Sequence, residues 1–155
     1  MPFAAPALPV TFRPYLARRV LVGLAVATTA AIAIVTFALP SATETTGGFS
    51  TGDRLAMGVV ALTVLAGLWL LSRPRIRADS TGLEVTNVFG RRRLEWAQVV
   101  DVNLRPGDPW LVFDLDDGTT LNAMGVQTSD GKRAHVAAVQ LRALVRAHTA
   151  TSQND

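Results

Sequence analysis

A chain of 155 residues, 49% hydrophobic and with a formal net charge of +3, has room for one modest domain beside any membrane-spanning segment. It has no cysteine, which excludes disulfides, thiolate metal sites and a cysteine nucleophile while leaving the compartment open. From residue 73 onward eleven Lys or Arg stand against ten Asp or Glu, so the excess charge comes mostly from Arg13, Arg18 and Arg19, and a nucleic-acid partner is set aside.

Residues 1–19 read as a cytoplasmic N-terminal segment carrying those arginines. Residues 20–39 then run without a charge. At about 1.5 Å of rise per residue they cross a hydrocarbon core of about 30 Å with every backbone amide bonded internally. Residues 40–54, rich in Ser, Thr and Gly, read as an external loop. Residues 55–72 form a second, shorter span that Ser72 and a snorkelling Arg73 complete, with Trp69 as an interfacial indole.

Arginines flank the outer ends of this hairpin: Arg13, Arg18 and Arg19 before it, Arg73, Arg75 and Arg77 after it. The positive-inside rule therefore predicts a multi-pass protein of the cytoplasmic membrane with both termini in the cytoplasm. A cleavable secretory signal competes for the first span. Its apolar stretch exceeds the usual h-region of about 7 to 15 residues, and cleavage would still leave the later domain cytoplasmic. Gly23, Ala27 and Ala31 share one face of the first helix, and Thr63 with Gly67 offers a matching face on the second. Small residues permit close approach, so these faces either pack the hairpin closed or serve a homo-oligomer. Neither span carries an ionisable group at depth, which argues against a pump or proton relay.

Beyond residue 72 the pattern changes to short alternating segments between turn residues. Strands are expected at 75–79, 83–88, 92–96, 99–105, 110–116 and 119–126, with turns at Ser80-Thr81-Gly82, Phe89-Gly90, Pro106-Gly107-Asp108-Pro109 and Asp116-Asp117-Gly118. Leu83 and Val85 alternate with Glu84 and Thr86, and Leu111, Phe113 and Leu115 with Val112 and Asp114, which predicts one apolar face. A helix follows, started by Ser129 or Asp130, with Val136, Ala137, Leu141, Leu144 and Val145 on its buried side; residues 149–155 read as a flexible tail. This order predicts an α+β domain over 73–148, a pleckstrin-homology-like antiparallel barrel whose open end the helix plugs.

Several runs carry a family resemblance: Asp79-Ser80-Thr81-Gly82-Leu83, Gly90-Arg91-Arg92-Arg93-Leu94-Glu95-Trp96, Val99-Val100-Asp101-Val102, Asp116-Asp117-Gly118 and Leu141-Arg142-Ala143-Leu144. Together they resemble the bacterial PH-domain membrane proteins of the actinobacterial low-molecular-weight antigen type. The resemblance implies a membrane-tethered PH-like domain and no enzyme or cofactor, and it transfers no lipid-headgroup specificity.

Arg91, Arg92 and Arg93 concentrate positive charge at a hairpin tip. They either contact anionic lipid or an acidic protein surface, or keep a turn soluble. Trp110 is a contact anchor or a core residue, while Trp96 reads as core. Asp114 and Asp116 lie on a polar exterior, Asp117-Gly118 is an ordinary turn pair, and His135 and His148 are too far apart on a helix for an i, i+4 metal pair, so no catalytic, metal or cofactor residue is expected. The reading is a noncatalytic module that recruits a protein partner at the membrane. The alternative is an accessory subunit that stabilises a larger membrane complex through its helices.

Overall fold

The structure, a computed structural model, describes residues 6–38 and 50–152. The connector read as an external loop lies outside the described residues up to residue 49. The chain divides into two compact units, Arg18–Ser72 and a second that joins Met1–Ala17 to Arg73–Asp155.

The first unit is helical. Helix α1 (Tyr15–Ala38) enters it, and α2 (Thr51–Leu71) is started by a capping box in which Ser50 and Asp53 satisfy each other's backbone amides. Both helices are long and apolar enough to cross a membrane, by length and composition. Hydroxyls on these apolar helices bond back to their own backbone: Thr29 donates to the Ala25 carbonyl at 2.8 Å and Thr63 to that of Val59 at 2.9 Å. The Arg54 guanidinium donates to the Thr36 carbonyl, which ties the start of α2 to the last turns of α1.

In the second unit the described residues form seven strands and the helix α3 (Lys132–Ser152). One antiparallel sheet runs β1 (Val10–Phe12), β2 (Arg75–Asp79), β3 (Gly82–Thr86) and β4 (Arg91–Glu95), and the other runs β5 (Val99–Asn103), β6 (Trp110–Leu115) and β7 (Thr120–Gln127). Strand β1 was not expected. Val10 faces Ala78, Thr11 faces Arg77 and Phe12 faces Ile76, and the Phe12 ring is buried in the core. Residues 10–12, within the stretch read as a separate N-terminal segment, are therefore an edge strand of the domain, and the helical unit is an insertion between β1 and β2.

The sheets do not close into a barrel, which corrects the closed-barrel expectation. The 3-10 turn Trp96–Gln98 carries the chain from one sheet to the other, and the seam elsewhere is made without a continuous ladder. At one point Gly125 lies so close to β2 that a Cβ there would sit 2.7 Å from the Arg75 carbonyl carbon and the Ile76 nitrogen. At another, the Asn87 carboxamide donates to the Asn122 carbonyl at 2.6 Å and accepts from the Met124 amide at 3.0 Å, replacing with one side chain the pairing a strand would give.

Inward residues of both sheets, among them Ile76, Leu83, Val85, Leu111 and Phe113, build one core with Phe12, and α3 covers it with Ala134, Ala138, Leu141, Leu144 and Val145. Arg142 fastens the helix by donating to the Val102 carbonyl at 2.6 Å. Three details of this helix differ from expectation. Val136 is 43% exposed, because the buried stripe follows Ala134, Ala138, Leu141 and Val145 along one helical face, and Val136 points away from it. Helix α3 continues through Ser152, into the stretch read as tail. Asp130 does not cap α3; its carboxylate accepts from the Tyr15 amide at 2.8 Å and the Leu16 amide at 2.7 Å, at the start of α1. Pro14, just ahead of α1, has no side-chain acceptor, so a residue distant in sequence supplies the cap.

Candidate functional site

Strand alternation divides the arginine triplet. Arg91 and Arg93 stand opposite Thr86 and Glu84, on the outer face of the first sheet, while Arg92 stands opposite Val85 on the other face. Each has an acidic partner. Arg91 donates to Glu84, a carboxylate buried to 6% exposure that Arg75 also approaches at 3.9 Å. Arg93 pairs with Asp79 at 3.1 Å, and Arg92 approaches Asp117 at 3.9 Å. The triplet is thus a set of three ion pairs, to β3, to β2 and to the β6–β7 turn, whose arginines stay roughly half exposed.

Two of these carboxylates, Asp79 and Asp117, are held in the charged form. Hydrogen bonds from the Thr81 hydroxyl and amide, with the Arg93 charge behind them, lower Asp79 to about 2. The Thr119 hydroxyl and amide, with Arg92 behind them, lower Asp117, whose turn is completed by Gly118 at φ +78. A depressed folded-state value means that the contribution of Asp79 to stability is complete above its ordinary value near 3.8 and is lost as pH falls through about 2. The melting temperature of the parent chain should therefore fall between pH 4 and pH 2, and Asp79→Asn should melt lower at neutral pH but with a shallower loss across that window.

Between the β3–β4 turn and the start of β7 lies a groove of about 440 Å³. Its floor is Val85, Leu121 and Met124, and its rim carries Asn87, Arg91 and Arg92. Phe89 stands at the tip of the turn, closed by the Asn87 amide donating to the Gly90 carbonyl at 2.8 Å, and is 92% exposed. Sequence reading treated Phe89 only as a turn residue; an aromatic in a tight turn beside an arginine run was the available signal. Trp110 is not part of this groove. It is half-buried and faces Gln127, at the far end of β7 from Thr120.

Other polar residues have structural tasks. Trp96 is buried, donates to the Asp79 carbonyl at 3.2 Å and stacks on His148 at 4.3 Å between ring centroids. Asp114 accepts from Asn103 at 2.7 Å across β5 and β6. No group of three or more His, Cys, Asp or Glu suited to a metal ion occurs among the described residues.

In the helical unit, Leu21, Ala25, Leu65 and Leu68 line a shared cleft of about 190 Å³. Gly23, Ala27 and Ala31 are exposed on another side of α1, Thr63 is exposed, and Gly67 is half-buried. A Cβ on Gly23 or Gly67 would meet nothing within 4 Å. None of these five small residues lines the cleft.

Comparison with known proteins adds the following. Residues 73–144 match a family described as Bacterial PH domain. Uncharacterized proteins of Mycobacterium tuberculosis and Mycobacterium bovis are 36% identical over 97 residues, 63% of this chain and 63% of each relative. The match thus spans less than two thirds of those relatives. No solved structure matches the chain.

Proposed function

We propose, from the match of residues 73–144 to the bacterial PH domain family, that the chain is a noncatalytic interaction module, held at the cytoplasmic face of the membrane by α1 and α2, that recruits a protein partner through the β3–β4 groove. Exposed Phe89 is the observation that carries this reading. An aromatic left in water at the rim of an apolar-floored groove costs solubility unless a partner covers it, and buried aromatics with arginine neighbours dominate the energetics of protein interfaces. The β1–β2 pairing supports the topology: two strands that flank the hairpin in sequence pair only if both its ends emerge on the same side of the membrane.

A second reading rests on the outward stripe of Gly23, Ala27 and Ala31, which suits packing against a helix of a larger membrane complex. One experiment separates the two. Full-length protein is cross-linked in native membranes and purified as the parent, as Phe89→Ala/Arg92→Ala and as Gly23→Leu/Ala27→Leu. The groove reading expects partner recovery to fall by about tenfold or more in the first variant, the usual worth of an interface anchor, and to persist in the second. The reverse pattern establishes the helix reading and ends the groove reading. Arg91→Glu is unsuitable as a probe, because it sets a second negative charge against buried Glu84 and would lower stability whether or not a partner binds there.

A further inference from the structure

A second concavity, of about 270 Å³, lies between β1 and the first half of α3. Its apolar side is Phe12, Val126 and Ala137, with Val136 at the lip, and its polar rim includes Arg13 and Arg133. The Arg133 guanidinium lies over the Tyr15 ring at 3.8 Å from the centroid. The one carboxylate in the lining, Asp130, has an oxygen on each of the Tyr15 and Leu16 amides, so it is committed to the start of α1 and set against the positive end of that helix. The rim that remains for an incoming group is basic.

The position of the groove along the chain selects the ligand. Tyr15 opens α1, and the uncharged run begins at Val20. Five residues of helix rise about 8 Å, and the polar layer on each side of a bilayer is about 5 to 8 Å thick. Given that α1 spans the membrane, as the preceding reading holds, Tyr15, Arg13 and Arg133 stand at headgroup depth. We propose that this groove holds the phosphate headgroup of an anionic phospholipid, with Arg13 and Arg133 on the phosphate and the first methylenes against Val136 and Ala137.

The test titrates phosphatidylglycerol into the detergent-solubilised full chain and follows the unfolding midpoint. Phosphatidylcholine and inorganic phosphate serve as parallel arms. Phosphatidylglycerol alone is expected to raise the midpoint. In Arg13→Gln/Arg133→Gln its half-saturating concentration should rise about thirtyfold, the worth of two arginines at an anionic surface. Arg13→Gln alone, which leaves the Arg133–Tyr15 stack in place, should give about a fivefold rise. Arg105→Gln/Arg146→Gln removes the same charge elsewhere and should leave the response within twofold of the parent. An equal loss in that control means diffuse electrostatics and overturns the site, as does a full response in the double variant or an equal shift with inorganic phosphate. A chain that stays in the aqueous fraction without detergent would instead overturn the membrane reading beneath it.

Discussion

Gly125→Ala is expected to lower the unfolding midpoint of the solubilised chain by more than roughly 10 °C, or to prevent folding altogether. The added methyl would meet β2 backbone, at 2.7 Å from the Arg75 carbonyl carbon and the Ile76 nitrogen and 2.9 Å from the Arg75 Cα. A flexible side chain can swing aside, whereas these atoms belong to a strand bonded on both edges, to β1 and β3. The methyl must therefore push the two sheets apart where their cores interlock, which places its cost at about 3 kcal/mol, the upper part of the range for overpacking. Against a total stability of about 5 to 15 kcal/mol that loss is severe. A melting curve of Gly125→Ala within a degree or two of the parent would show that β7 and β2 are not in this contact.

Phe12→Ala is expected to cost about 3 kcal/mol, the low end for a buried phenylalanine, because a short edge strand can relax partly into the space left behind. The ring is 8% exposed and is packed with the core of the second unit, although the family match begins only at residue 73. The informative outcome is where the damage falls. Loss of Phe12 should speed amide exchange in β2, which β1 covers at its open edge, well before it affects β6. Unchanged exchange in residues 75–79 would remove β1 from the domain.

Much of the fold was legible in the sequence because its signals are local. The uncharged runs announced α1 and α2 by length, and the alternation of Leu111, Phe113 and Leu115 with Val112 and Asp114 announced β6, whose burial alternates in the same way. Strand β1 was missed for a physical reason. A three-residue strand between Pro9 and Pro14 carries almost no periodic signal, and its partner strand lies beyond the whole hairpin, so only the tertiary pairing distinguishes Val10-Thr11-Phe12 from an irregular segment.

The candidate site was legible only as composition. Arg91, Arg92 and Arg93 read as one basic patch, yet the acids that answer them, Glu84, Asp79 and Asp117, come from three other places in the chain and meet them through register. Buried Glu84 was read as a solvent-facing residue by alternation alone, but arginines from both neighbouring strands cover it. Likewise a helical period groups Gly23, Ala27 and Ala31 on one side of α1 without saying what covers that side; in the structure all three are exposed.

The claim on which the rest turns is that the hairpin is looped out between two neighbouring strands of a single domain. Alternation of the ladder from the Asn87–Gly90 turn makes Thr11 and Arg77 a non-hydrogen-bonded pair, with Cα atoms about 4.5 Å apart and side chains toward each other, a geometry a disulfide tolerates. The chain has no native cysteine to interfere. In Thr11→Cys/Arg77→Cys, mild oxidation in native membranes should join the two positions within one chain and leave neither thiol open to maleimide, whereas Thr11→Cys/Arg105→Cys should stay reduced. If both thiols of the first pair remain fully reactive, or if they label from opposite sides of the membrane, β1 and β2 are not partners and the account fails.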